Sequence, residues 1–251
     1  MRKEVPGMPR VRVFEDRAAM GRAAADDVAA ELRATLSRQE SLRMIFAAAP
    51  SQREMLNGLA TAEDIDWGRV TAFHMDEYLG LPADAPERFA NWLKEAIFDR
   101  LPFGEAHLIE PGPDPEATAS EYAALLAKAP IDLVCLGIGQ NGHLAFNDPP
   151  VADLDDPFDV KVVELDRTCR QQQVDDEAFP SIEQVPSHAL TLTVPRLLDA
   201  RRLFCVVPGR LKQPAVQRTL HAPVSAADPA TALRTHPDCT LYLDAEAAPR
   251  D

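Results

Sequence analysis

Short apolar runs alternate with helical stretches along nearly the whole chain. Residues 11–14 read as a strand, the alanine-rich segment 17–36 as a long helix, and 42–49 as one continuous apolar strand. Residues 70–74 repeat the strand signal. Residues 87–100 and 115–128 read as helices, the second opening on Pro115, and 131–136 as a buried-type strand. A strand at 190–194, a short helix ending near Asp199, a strand at 203–207, a helix over about 211–220 and a closing strand at 240–243 complete the pattern. Strands separated by helices predict a three-layer α/β/α fold with an open, mostly parallel, Rossmann-like sheet, in a single domain over residues 1–251.

The strand at 131–136 runs into Gly137-Ile138-Gly139-Gln140-Asn141-Gly142-His143-Leu144-Ala145-Phe146-Asn147-Asp148-Pro149, a glycine-rich turn that presents a histidine and a carboxylate. The glycines fit G-x-G-x-x-G, which after a strand suggests a dinucleotide turn leading into a helix. The sequence beyond rejects that reading: residues 147–157 hold three prolines and four aspartates, which neither continue a crossover helix nor favour a phosphate chain. The glycines are expected instead to allow tight turning and close approach to a small substrate. Residues 148–159 read as an active-site loop rather than a linker.

A second cluster, Phe73-His74-Met75-Asp76-Glu77-Tyr78-Leu79-Gly80-Leu81, ends a strand in two adjacent acids. In open α/β folds ligands bind at the carboxyl edge of the sheet, where such residues fall. Taken alone the acidic pair reads rather as a helix cap or a solvated face than as a site. Two strand ends carrying complementary acid and base groups point to a site.

Composition narrows the function. The chain has 251 residues and a net charge of -14, from 26 Lys and Arg against 40 Asp and Glu, so a nucleic-acid backbone or an anionic membrane is repelled overall. Cys135, Cys169, Cys205 and Cys239 contain no C-x-x-C pair and read as free thiols of a reducing compartment. With no apolar leader and no segment long enough to span a bilayer, a cytoplasmic protein is expected.

The two motifs together resemble the glucosamine-6-phosphate deaminase (isomerase) family, and the similarity extends through Val185-Pro186-Ser187-His188-Ala189-Leu190-Thr191-Leu192-Thr193 and Leu197-Leu198-Asp199-Ala200. The 6-phosphogluconolactonases are a related group. The resemblance implies a cofactor-free isomerisation of an amino-sugar phosphate coupled to loss of ammonia from C2, with no metal. It gives Asp76 the role of the base moving a proton between C2 and C1, and His143 that of assisting ring opening. Asp148 would hold His143 in one tautomer, with Asn141 beside it. Glu77 reads as structural and His74 as a strand-end hydrogen-bonding group.

The sequence departs from that pattern in places. The family often has a carboxylate at the position of Asn141 and a glutamate at that of Asp148. Its usual Thr/Ser-Gly-x-Thr-Pro phosphate turn is replaced by Ala47-Ala48-Ala49-Pro50-Ser51-Gln52-Arg53. Ser51 and Gln52 would still meet an anion there, although Pro50-Ser51 reads equally as a plain helix start. Gly209-Arg210-Leu211-Lys212 resembles the family's Gly-x-x-Lys turn, which makes Lys212 a phosphate ligand, with Arg170, Gly139 and Gly142 as further substrate contacts. The implied partner is a small-molecule sugar phosphate; a homo-oligomer fits the reading equally well.

Two alternatives stand beside it: hydrolysis of a sugar-phosphate lactone, metal-assisted through His74, Asp76, His143 and Asp148, and a sugar-phosphate-binding module without turnover.

Overall fold

The computed structural model describes residues 8–149 and 151–249. Among them are the strands β1 (Arg10–Phe14), β2 (Leu42–Phe46), β3 (Val70–His74), β4 (Asp76–Tyr78), β5 (Glu105–His107), β6 (Ile131–Leu136), β7 (Val160–Glu164), β8 (His188–Leu192), β9 (Ala200–Val207) and β10 (Cys239–Asp244). The helices are α1 (Arg17–Leu36), α2 (Arg53–Leu59), α3 (Phe89–Leu93), α4 (Pro115–Leu126), α5 (Arg167–Asp175), α6 (Val194–Leu198) and α7 (Gln213–His221).

The main sheet has the order β1-β10-β9-β6-β2-β3-β5, and every neighbouring pair is parallel. Helices cover both faces, as expected of a parallel sheet whose strands are apolar on both sides. Along β6, Val134 and Leu136 pack in the cluster that includes α4, α6 and α7, while Leu133 and Cys135 pack in the one formed with α1 and α2. Burying each such aliphatic side chain stabilises the fold by about 1.5–3 kcal/mol, which is why the most apolar runs occupy the centre. Helix α1 presents Met20, Ala24, Val28, Leu32 and Leu36 at four-residue spacing to the sheet, and Asp16 caps it by accepting from the Ala19 N–H at 2.7 Å.

The sequence pattern did not reveal a second sheet. Strands β4, β8 and β7 form a small antiparallel layer in the order β4-β8-β7, packed over Phe146, Cys169 and Phe179. Its strands are short, and α5 carries Gln171-Gln172-Gln173 where a helical apolar stripe would be sought.

Several predicted boundaries shift. The strand expected at 190–194 is β8, His188–Leu192, and Val194 already opens α6. The strand expected to run to Ala49 leaves the sheet after Phe46, because its partner β6 gives way there to the glycine turn; only the Ala47 N–H still reaches the Cys135 carbonyl, at 2.9 Å. The helix expected from residue 87 starts at Phe89 and passes into a π-helical turn, Lys94–Phe98. All four cysteines are buried and free. No helix among the described residues is long and apolar enough to cross a membrane.

Candidate active site

Chain order along the sheet reverses between β2 and β6. A cavity of about 540 Å³ opens at the carboxyl ends there, lined by Ala49 after β2, Met75 and Asp76 after β3, Gly137 and Gly139 after β6 and Pro208 after β9. Such a reversal leaves a crevice because the crossover helices on its two sides lie on opposite faces.

Asp76 enters the cavity at the hand-over between the two sheets. Strand β3 ends at His74, Met75 turns the chain, and Asp76 pairs with Thr191 of the antiparallel layer. The residue is 7% exposed, and its carboxylate receives no hydrogen bond or ion pair from the described residues. Burial, and then the neighbouring Glu77 charge, raise its pKa well above the usual carboxylate value.

Glu77 points the other way, as alternation along a strand requires. Its oxygens accept from the N–H groups of Tyr78 (2.9 Å), Phe89 (3.1 Å) and Ala90 (2.9 Å), and Arg88 stands 3.6 Å away. This carboxylate therefore fixes the start of α3 and explains why the helix begins at Phe89. His74 is fully buried, accepts at Nε2 from the Ile109 N–H at 2.7 Å, and is pushed down to a pKa of about 3 by burial, so it is neutral. Neither residue lines the cavity.

The glycine turn sets the second group. His143 Nδ1 lies 2.9 Å from Asp148 Oδ1, and the Asn141 amide donates to the same oxygen at 2.8 Å while its carbonyl accepts from the His143 N–H at 3.1 Å. Asp148 is fully buried; burial alone would raise its pKa, but the His143 charge, the hydrogen bonds from His143 and Asn141 and the neighbouring Cys169 thiol outweigh it and lower it. An ionised Asp148 makes Nδ1 the donor and turns the Nε2 side of the ring toward the cavity. The shorter aspartate thus still reaches the imidazole. Gly142 takes φ +90°, and among the described residues no helix follows the turn: residues 143–149 and 151–159 are irregular, as expected of a stretch that cannot continue a crossover helix.

The other end of the cavity is basic. Pro50–Gln52 forms a 3-10 turn that brings Ser51 and Gln52 to the wall beside Arg17 and Arg53. Arg17 is held by Glu54 at 2.8 Å and by the Pro50 carbonyl, and Arg53 lies over the Trp92 ring. Lys212 is 8% exposed, and its ammonium has no hydrogen-bond or ion-pair partner among the described residues. Burial lowers its pKa, against the raising effect of Asp176, Cys169 and Asp175. The turn that carries it begins at Gly209, φ +92°, whose N–H is held by both oxygens of Asp244 at 3.0 Å.

Two residues predicted to touch the substrate are not brought to the cavity. Arg170 faces away, its guanidinium donating to the carbonyls of Ile182 (2.6 Å) and Val185 (2.9 and 3.2 Å). Gly142 lies behind the turn, near Arg218 and Asp228. Among its described residues, the loop expected at 148–159 lines no part of the cavity, although its Asp148 supports His143 from behind. In their place α5 presents Gln172 and Gln173, which the sequence reading missed. Gln172 accepts from the Gln140 N–H at 2.7 Å, and Gln173 accepts from the Tyr78 hydroxyl at 2.6 Å. The three consecutive glutamines were the available signal, since polar residues on a helix face gain from burial only where they meet polar partners.

A model of the family described as glucosamine-6-phosphate isomerases/6-phosphogluconolactonase matches residues 15–242. The chain belongs to this family. It is 36% identical over 187 residues to a glucosamine-6-phosphate deaminase of an Exiguobacterium strain, covering 74% of this chain and 72% of the relative. A glucosamine-6-phosphate deaminase of Streptococcus pneumoniae is also 36% identical over 187 residues, with 73% and 77% covered. Among solved structures, a monomeric glucosamine-6-phosphate deaminase superposes with a TM-score of 0.87 at 26% identity, over 95% of this chain and 98% of that one. A 6-phosphogluconolactonase from Thermotoga maritima reaches 0.77 at 17% identity, over 94% and 99%, which shows a shared fold. In this chain the acid and histidine clusters lie at one cavity, and its basic end is built without a glycine turn after β2.

Proposed function

We propose that the protein converts glucosamine 6-phosphate, or a closely related hexosamine 6-phosphate, to the ketose 6-phosphate and ammonia. The observation that carries this reading is a cavity that is acidic at one end and basic at the other: a carboxylate and an oriented imidazole face Lys212, whose ammonium has no partner. Lys212, with Ser51, Gln52 and the arginines beside them, is the phosphate end. His143, its donor side held by Asp148 and Asn141, moves the proton that opens the sugar ring. Asp76 then carries a proton between C2 and C1, and ammonia leaves C2.

The raised pKa of Asp76 suits that step, because a base gains driving force as its pKa approaches the working pH. The family membership and the 36% identical deaminases support the same substrate class. The test is incubation with a panel of hexosamine 6-phosphates while ammonia and ketose phosphate are measured together. Equal amounts of both products are expected; hydrolysis of 6-phosphogluconolactone without ammonia release from any amino sugar would overturn the proposal.

A further inference from the structure

The helix that brings Gln172 and Gln173 to the cavity also sets a thiol behind the histidine. Cys169 is the third residue of α5, held there by the Asp166 cap, which accepts from the Cys169 N–H at 2.6 Å. His143, Asp148 and Cys169 each offer a ligand atom, all buried and all within 4.8 Å of one another. One oxygen of Asp148 is taken by His143 and Asn141, whereas the other, Oδ2, is buried with no hydrogen-bond partner. An orphaned carboxylate oxygen beside a thiol and an imidazole is a costly arrangement for a protein interior. Imidazole, carboxylate and thiolate are together the donor set of zinc and of the thiophilic divalent ions like it. The four-residue set considered from sequence is not assembled, because His74 Nε2 is taken by the Ile109 N–H.

We propose that His143 Nδ1, Asp148 and Cys169 Sγ form a binding site for a thiophilic divalent cation such as Zn²⁺, and that its occupation switches the active site off. Ligand atoms on a tetrahedral zinc lie roughly 3.5 Å apart, so the cluster closes on the ion by small side-chain rotations. The protons balance simply. Binding releases the Cys169 thiol proton to solvent and transfers the His143 proton from Nδ1 to Nε2, leaving a site in which the cation's two charges are met by thiolate and carboxylate.

The loss of activity follows from the second of these changes and rests on the function proposed above. With Nδ1 on the metal and Nε2 protonated, the cavity side of the ring has no lone pair with which to accept a proton. The Asp148 contact that orients the imidazole is also lost. The other buried thiols, Cys135, Cys205 and Cys239, belong to no such cluster among the described residues.

The experiment uses the intact protein, freed of metal by dialysis against chelator, and titrates it with Co²⁺ and separately with Zn²⁺. Co²⁺ is expected to give the near-ultraviolet thiolate-to-cobalt absorption, saturating at one ion per chain and displaced by Zn²⁺. Cys169→Ser, which preserves the shape of the side chain, should abolish that band. His143→Gln, read by the same band, should weaken cobalt binding at least tenfold. Zn²⁺ should suppress turnover of the wild type, with the half-inhibiting concentration at least tenfold higher in Cys169→Ser, each protein being compared with its own metal-free rate. Absence of the cobalt band from the wild type, or its persistence in Cys169→Ser, would overturn the proposal. The spectrum is independent of substrate, so a failure of the deaminase reading leaves this test intact.

Discussion

The imidazole of His143 occupies the space that a side chain at residue 139 would need: a Cβ built on Gly139 would stand 2.2–2.4 Å from its Cε1, Nε2 and Cδ2 atoms. Glycine at 139 is therefore a requirement of the histidine's position. Gly139→Ala should displace the ring from Asp148 and lower kcat by roughly 100-fold, the lower end of what a positioned acid–base group contributes. Far-UV circular dichroism should stay unchanged, since the substitution lies in a turn at the edge of the cavity. A kcat within about twofold of wild type would show that the ring position is unimportant to the reaction.

Asp76→Asn should cost roughly 100-fold or more in turnover while leaving substrate binding nearly intact, because the amide keeps the shape but lacks a basic lone pair. Exchange of deuterium from heavy water into C1 or C2 should stop with it. If exchange continues at the wild-type rate, another group is the base.

The same substitution has a consequence for stability whose sign is fixed by the raised pKa of Asp76. The folded state favours the protonated acid, so the contribution of this group is fully present below the unfolded carboxyl pKa and is lost as pH rises through the folded value. Removing the charge should therefore raise the Tm of Asp76→Asn above that of wild type at pH 7, with the difference shrinking toward pH 4. Equal Tm differences at both pH values would show that the buried carboxylate imposes no such cost.

His143→Gln should suppress turnover of the cyclic sugar more than that of an open-chain analogue, since the proposed task of the histidine is ring opening. Steady-state kinetics on both substrates check this. Equal losses would move the role of His143 to a later step.

Lys212→Ala should weaken the apparent affinity for a phosphorylated substrate about 10- to 150-fold, from a charge-assisted contact of roughly 1.5–3 kcal/mol. The loss should nearly vanish on a sugar without phosphate. Were phosphorylated and free sugars to respond alike, the partnerless ammonium would serve some other purpose.

The chain's own sequence determined six of the seven strands of the main sheet, all but the three-residue edge strand β5, and the two clusters at its carboxyl edge. Residues 70–74 and 131–136 are strands with the predicted limits, because a buried parallel strand must be apolar on both faces and so stands out as a continuous run. Asp76, His143, Asp148, Asn141, Ser51, Gln52 and Lys212 all fall at or directly behind one cavity, since motifs at strand ends inherit their place from the order of the strands. Only the tertiary structure decided which way individual side chains point. Arg170, Gln172 and Gln173 sit on one helix turn, yet the glutamines face the cavity and the arginine faces the Ile182 and Val185 carbonyls. That choice depends on polar partners brought in from residues 78, 140, 182 and 185, and no periodicity within α5 encodes where those partners lie. The approach of Cys169 to His143 and Asp148 has the same origin: residues 143, 148 and 169 meet because α5 packs against the glycine turn, a contact between segments that the linear pattern does not contain.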